Sequence, residues 1–543
     1  MLVAILIAAV VAFSLAYGLY LRFLANRYEL DDARPTPSHT DYDGIDRVPA
    51  HKAVLLGHHF SSIAGAAPIV GPIIAALAFG WLPVVLWIIL GSIFIGAVID
   101  FSALVASVRH KARSIAEIAK QYMSPLAYRL LLAFIWLALV YVLTVFADLT
   151  ATTFVDNGGV ATSSAIYIVL AVLFGLAIYR LKIPLFWASV VFVPLVFLAI
   201  WVGQKIPISA HLVPQIIAGE PKKTWALVLL VYCLFASTTP VWILLQPRDY
   251  LSSYLLYASV LSGIVGIFIG GFTIQYPAFT SWSAPEMGTL FPILFITVAC
   301  GACSGFHSIV ASGTSSKQLD KETDAKVIGY GAMLLEGIVA VIALATVAML
   351  PKGDTLTAKA PMAIYATGIA NFLSVLGIPE KLGSSFGLLA LSAFILTTLD
   401  TATRLGRYIF EELFDLQGTY ARYLSTLATI ALPAVFVMID LKDNQGNLIP
   451  AWKAIWPVFG ASNQLLAGLV ALVIAVWLKK TGKKIGFLLG PVLFMNIVTI
   501  WALVLLLRQQ SSSAVRVIAA VLLLLALVLI IEAAKTVKRM IAT

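Results

Sequence analysis

Seven histidines and a few deep carboxylates are the residues of this 543-residue chain best suited to moving a proton. His39, His51, His110 and His211 fall in polar connections, whereas His58, His59 and His307 lie inside apolar runs. An ionisable side chain in such a run is costly and normally faces a pathway or a partner. Histidine titrates near neutrality, so these three are candidate proton carriers. His58 and His59 are neighbours, about 100° apart on a helix, so one can line a path while the other bonds backbone. Asp100 and Asp148 have no partner nearby in sequence and join the ion-coupling candidates. Glu336 is a further deep carboxylate, and Asp400 is expected to pair along its own helix with Arg404, four residues on. Ser304, His307 and Ser308 share one helical face, and hydroxyls beside unwound carbonyls can hold Na⁺. Cys300 and Cys303 read as small buried hydrophobes rather than zinc ligands, and neither a metal nor another cofactor is expected.

The elements that carry these residues must be membrane helices. The chain is 61% hydrophobic and only 11% charged, against about 25% charged in an ordinary soluble domain. Apolar runs suffice for about 15 spans of roughly 20 residues each, the first a retained helix over residues 1–24. The others fall near 53–79, 82–107, 126–151, 162–180, 184–203, 224–245, 252–272, 289–313, 327–350, 385–403, 421–440, 454–478, 487–507 and 514–534. If the loops alternate between two sides with residues 25–52 in the cytoplasm, most of the 36 Lys and Arg collect on that side. That bias predicts an outside N-terminus and a cytoplasmic C-terminus. It also accounts for the net charge of +10 without nucleic acid as a partner. The stretch 351–384 reads as an external loop with a surface helix, or as a re-entrant element.

Two spans carry breaking residues. Gly57, Gly65, Pro68, Gly71 and Pro72 interrupt 53–79, and Ser237, Thr238 and Thr239 precede Pro240 within 224–245. Backbone groups freed inside a membrane are tolerated only where protein or a water-filled cavity satisfies them. The expected fold is therefore an all-α polytopic protein built on a 5+5 inverted repeat with two broken helices and a midplane site. Residues 1–52 would form the first helix and a cytoplasmic loop, 53–203 the first repeat, 224–403 the second, and 421–543 four accessory helices. Ser61, Ser62, Gly65, Ala66, Pro68, Ser237, Thr238 and Thr239 are the candidate substrate-binding residues. Half-helix starts near residues 66–71 and 239–241 would present N–H groups to a carboxylate, with no intramembrane Arg or Lys competing for it.

The run from Asp43 to Pro49, followed by Gly57-His58-His59-Phe60 through Gly71-Pro72, resembles the signature of the carbon starvation protein A family. So do Gly91 to Phe101, Ser107-Val108-Arg109, Ser114 to Ala119, and the Asp400 to Arg407 segment. Ile99-Asp100 departs from the His-Asp associated with that family. The resemblance implies an inner-membrane carrier that imports peptides or pyruvate with a coupling proton and has a likeness to inverted-repeat amino-acid carriers. Alternatives are Na⁺ coupling, an intramembrane hydrolase and a nutrient sensor. A nucleotide-driven pump is disfavoured because no G-x-x-x-x-G-K-[ST] loop occurs, and an enzyme because neither G-x-S-x-G nor H-E-x-x-H does.

Overall fold

The computed structural model describes residues 1–208, 220–284, 287–442, 448–509 and 513–542; His211 lies outside them. Among these residues, 13 helices are long and apolar enough to cross a membrane. In chain order the helices are α1 (Leu2–Tyr28), the half-helices α2 (Lys52–Ile63) and α3 (Ala67–Phe79), α4 (Trp81–Arg109), the short α5 (Ile115–Tyr122) and α6 (Pro125–Asp156). A hairpin of α7 (Gly158–Tyr179) and α8 (Leu185–Lys205) follows, then α9 (Pro221–Thr238), α10 (Leu245–Ile269), and the half-helices α11 (Leu290–Thr297) and α12 (Gly305–Gly313). Next come α13 (Glu322–Ala348), α14 (Pro361–Ser374), α15 (Glu380–Phe414) and α16 (Thr419–Met438). The chain ends with α17 (Ala451–Lys480), α18 (Gly486–Gln509) and α19 (Ser513–Ala542).

Local chemistry sets the turns between these helices. Ser114, Ser124 and Asn157 cap α5, α6 and α7 by accepting from the N–H groups of Glu117, Ala127 and Gly159. Gly80 joins α3 to α4 at φ +94, with the Ala278 carbonyl 2.5 Å from where a Cβ would stand. Only glycine fits that turn.

The packing follows one pattern twice. The broken pair α2/α3 and α4 pack with the broken pair α11/α12 and α13, forming a four-membered bundle. A scaffold of α6, α9, α15 and α16 stands beside it, with α6 against α15 and α9 against α16. Helix α10 then embraces α2 and leans on α15, while α17 embraces α12 and leans on α6. Each broken helix thus leads an equivalent set of contacts, which is the inverted repeat. The hairpin α7/α8 lies against α10 and α15 outside this pattern, and α18 and α19 pack on α17.

Three expectations change. The second break lies at residues 298–304, between α11 and α12, not within 224–245. Helix α9 ends at Thr238, and residues 239–244 turn the chain into α10. That turn is apolar, with Val241 buried and its N–H given to the Ile45 carbonyl, so hydropathy ran through a connection. Finally, α14 is not a surface helix: Met362, Tyr365, Ile369 and Phe372 are buried, and it packs on α3, α10, α13 and α15.

Gly71 brings the two broken helices together, since a Cβ there would stand 2.4 Å from the Thr297 carbonyl oxygen. Gly71→Ala should therefore force α3 from α11 and destabilise the protein by about 1–3 kcal/mol, read as earlier thermal unfolding in detergent. Gly18→Ala, which meets nothing within 4 Å, is the matched control, and identical melting of the two variants would refute the close approach.

Candidate functional site

The two interruptions meet at the centre of the bundle. A Cβ on Gly301 would lie 3.6 Å from Pro68 Cα, and one on Gly65 would lie 2.7 Å from Thr398 Oγ1 and 3.0 Å from Phe146. Gly65, Ala66 and Pro68 are all buried there. Freed backbone groups find partners from neighbouring helices, as a membrane interior requires. Thr398 Oγ1 donates to the Ser62 carbonyl at 3.0 Å, and Ser92 Oγ donates to the Gly301 carbonyl at 3.2 Å. On the other side Asn463 of α17 accepts from the Phe306 N–H at 2.8 Å through Oδ1 and donates to Ser304 Oγ at 3.0 Å through Nδ2. Both α3 and α12 start at this crossing, so two positive helix ends face it, while α2 and α11 end there with their carbonyls. Beside it, Leu139, Phe306, Phe459 and Asn463 line a cavity of about 10 Å³, room for at most one water molecule. The crossing is closed in this conformation.

Two fully buried histidine–carboxylate clusters flank it. His58 Nδ1 lies 2.5 Å from Asp249 Oδ2, and His58 Nε2 lies 3.2 Å from Thr314 Oγ1. Arg248 donates to Asp249 Oδ1 at 2.7 Å through Nη2 and to Tyr232 OH at 2.9 Å, and it pairs with Asp400. Tyr232 in turn donates to Asp400 at 2.7 Å. In the second cluster His307 Nδ1 is 3.1 Å from Asp100 Oδ2, and Nε2 is 3.2 Å from Glu336 Oε2, within ion-pair distance. His59 Nδ1 meets Ser315 Oγ at 2.8 Å.

Several candidates take other roles. Ser237 Oγ meets Thr426 Oγ1, and Thr238 and Thr239 donate to the Leu234 and Phe235 carbonyls of their own last turn. They finish α9 and lie away from the crossing. Ser61 donates to the Asp249 carbonyl, and Ser62 Oγ meets Thr401 Oγ1 at 3.0 Å, so both hydroxyls join α2 to its neighbours. Asp148 pairs with Lys222 at 2.8 Å and accepts from the Trp452 N–H at the start of α17, a structural tie between α6, α9 and α17. Ser308 is buried beside His307, and Ser304 precedes the first turn of α12. The expected Asp400–Arg404 pair does not form: Arg404 donates to Asp46 at 2.7 Å and to the Ala236 carbonyl. Nor is the interior free of cations, because Arg248 and Arg404 are buried. Arg248, Asp249 and Asn463 were missed; the sequence signal was the ionic doublet Arg248-Asp249 one turn into an apolar run.

On the face carrying residues 29–51, Arg47, Arg113, Lys317, Tyr408 and Glu412 line a cavity of about 80 Å³ between α12 and α15. Burial pushes the Lys317 ammonium down to about 8 against the pull of Asp46. Burial also works to raise the Asp46 carboxyl, but Arg404 and Arg407 overcome it and hold the group well below the usual carboxylate range. This mouth is basic and leads toward the bundle–scaffold seam.

Asn463→Leu keeps the volume but strands the Phe306 N–H and Ser304. The variant should lose about 1–3 kcal/mol in thermal unfolding and most of its transport, since the start of α12 is no longer held. Full transport with unchanged melting would show that Asn463 does not position that helix start.

A protein family described as carbon starvation protein CstA matches residues 1–364 and 352–502. The peptide transporter CstA of Campylobacter jejuni is 31% identical, over 92% of this chain and 79% of that relative. The pyruvate/proton symporter BtsT of Escherichia coli is 29% identical over 92% and 81%. In fold, the crystal structure of MhsT in complex with L-phenylalanine aligns at a TM-score of 0.50 and 13% identity, covering 89% of this chain and 99% of that one. This multi-pass membrane chain belongs to the carbon starvation protein CstA family.

Proposed function

We propose that this chain is a secondary active importer of small carboxylates, with pyruvate or short peptides as cargo and a proton as the coupling ion. The observation that carries the reading is the crossing of two interrupted helices, where α3 and α12 both begin and point positive ends at one place. A carboxylate, common to pyruvate and peptides, suits those N–H groups. The carbonyl ends of α2 and α11 suit the amino group of a peptide. The names of the relatives, for peptide transport and for pyruvate/proton symport, agree with this cargo. The buried pairs of His58 with Asp249 and of His307 with Asp100 and Glu336 are the candidate sites for the coupling proton.

The repeat units of this reading are 52–156 with 221–269, and 290–348 with 380–480, the hairpin 158–205 being an insertion in the first. The expected units 53–203 and 224–403 counted that hairpin as part of the repeat. The chain sits in the inner membrane with its N-terminus outside and its C-terminus in the cytoplasm, the orientation that puts the basic face inside.

Uptake of labelled pyruvate and of a labelled dipeptide into proteoliposomes, under imposed proton or sodium gradients, tests cargo and ion together. Accumulation of at least one of the two substrates under the proton gradient is expected, with the free acid competing and its amide or ester failing to compete. Equal competition by the amide would end carboxylate capture, and accumulation under sodium alone would replace the coupling ion.

A further inference from the structure

The two histidine clusters differ in what they join. His307, Asp100 and Glu336 sit on α12, α4 and α13, all members of the bundle. His58 is on bundle helix α2, whereas Arg248 and Asp249 are on α10, Asp400 is on scaffold helix α15 and Tyr232 is on scaffold helix α9. Rocking of a bundle against a scaffold leaves the His307 cluster intact and pulls the His58 cluster apart. On that motion it is the His58 cluster that converts a proton into a change of access.

Its hydrogen-bond roles also call for a proton. Thr314 Oγ1 donates to the Val310 carbonyl at 3.0 Å, so it is an acceptor toward His58 Nε2. Asp249 Oδ2 is an acceptor toward Nδ1. Both ring nitrogens therefore face acceptors, the arrangement of an imidazolium with two donors. Charge agrees, because Asp249 and Asp400 stand against the single guanidinium of Arg248. Without a proton this dry cluster holds one uncompensated negative charge; with one it is neutral. Nearby groups do not fill the deficit. His59 is bound to Ser315 and His307 belongs to the other cluster. Lys52 pairs with Asp324, and Arg404 with Asp46. The phenol of Tyr232 and the thiol of Cys233 donate to Asp400 and bring no positive charge.

We propose that the His58–Asp249 pair, neutralised through Arg248 and Asp400, is the proton-operated latch of the basic-face gate. Protonated, it holds α2 against α10 and keeps that gate shut. Loss of the proton leaves a buried anion that is relieved when α2 swings from α10 and water enters, so the proton leaves on the side where the gate opens. The proposal rests on the transport reading for its purpose, but the latch itself is readable without any substrate.

Hydrogen exchange of the full-length protein in lipid nanodiscs, followed at residues 52–63 and corrected for the chemical pH dependence, measures the latch. Because the shut state holds one more proton, exchange should rise with pH by up to about tenfold per unit. Asp249→Asn removes the carboxylate that accepts from His58 Nδ1 and leaves the cluster neutral with no proton, so its slope should vanish. In proteoliposomes that variant should lose proton-driven accumulation while exchange of labelled for unlabelled substrate persists. Asp400→Asn, a second variant should the first not fold, should move the midpoint to lower pH, because a proton would then make the cluster positive. Glu336→Gln should keep the slope. A flat profile in the unsubstituted protein, a slope that survives in Asp249→Asn, or one that disappears only in Glu336→Gln would each overturn the latch. Failure of every carboxylate to be transported would instead remove the proposed cargo and leave the exchange result standing.

Discussion

Every freed N–H and C=O of an interrupted helix must find a partner inside the protein, because hydrocarbon offers none. This requirement organises the molecule. Two interruptions in separate membrane helices would each be expensive, and crossing them lets one neighbourhood serve both. Thr398 reaches in from the scaffold, Ser92 from α4 and Asn463 from α17, each for one orphaned group. Close approach is possible because glycines stand at the contacts: Gly65 and Gly301 in the interruptions, Gly71 in α3 and Gly96 in α4 each have another element within a few ångströms of the missing Cβ. The helices that supply the caps must stand where they do, and that placement divides the fold into bundle, scaffold and two embracing arms.

This constraint was legible in one break and hidden in the other. In 53–79, two prolines and three glycines announce that an apolar run cannot be one straight helix, and the structure breaks it at residues 64–66. The second interruption, Val298 to Ser304, contains no proline; Gly301 and small side chains let the chain unwind, and its caps come from residues far away in sequence. Proline at 240 pointed to the wrong place because a tight apolar turn under the Ile45 loop has the hydropathy of a membrane span. The proposed repeat units leave out α7 and α8 for a related reason. That hairpin has the same composition as the helices it separates, and what sets it apart is its packing against α10 and α15.

The charges were legible as individuals and illegible as pairs. Deep histidines and carboxylates stand out in an apolar chain, so His58, His307, Asp100 and Asp400 could be singled out. Which cation meets which anion is decided by three-dimensional competition. Asp400 and Arg404 share a helical face at four-residue spacing, yet Asp400 is taken by Arg248 and Tyr232 while Arg404 seals the turn after α9 through Asp46 and the Ala236 carbonyl. An intrahelical pair is worth only a few tenths of a kcal/mol. Breaking either buried pair would leave an ion dry and alone, which costs about 3–5 kcal/mol. Avoiding that cost decides the pairing, and the sequence spacing carries no information about it.

The closed crossing sets the last condition on any cargo. The interrupted strands 64–66 and 298–304 are buried throughout, so a carboxylate reaches their N–H groups only when the surrounding elements move. The side chains there are held by packing and by the Asn463 bonds, so the space must be made by displacing elements as units. A ligand shifts that equilibrium only by the difference in its affinity for the open and shut arrangements. Under the proposed carboxylate capture, recognition by backbone N–H groups at two helix starts provides such a difference, because those starts belong to the two broken helices and converge on one anion only when α3 and α12 are correctly spaced. In that proposal the groups that recognise the cargo's charge also gauge whether the site has closed around it.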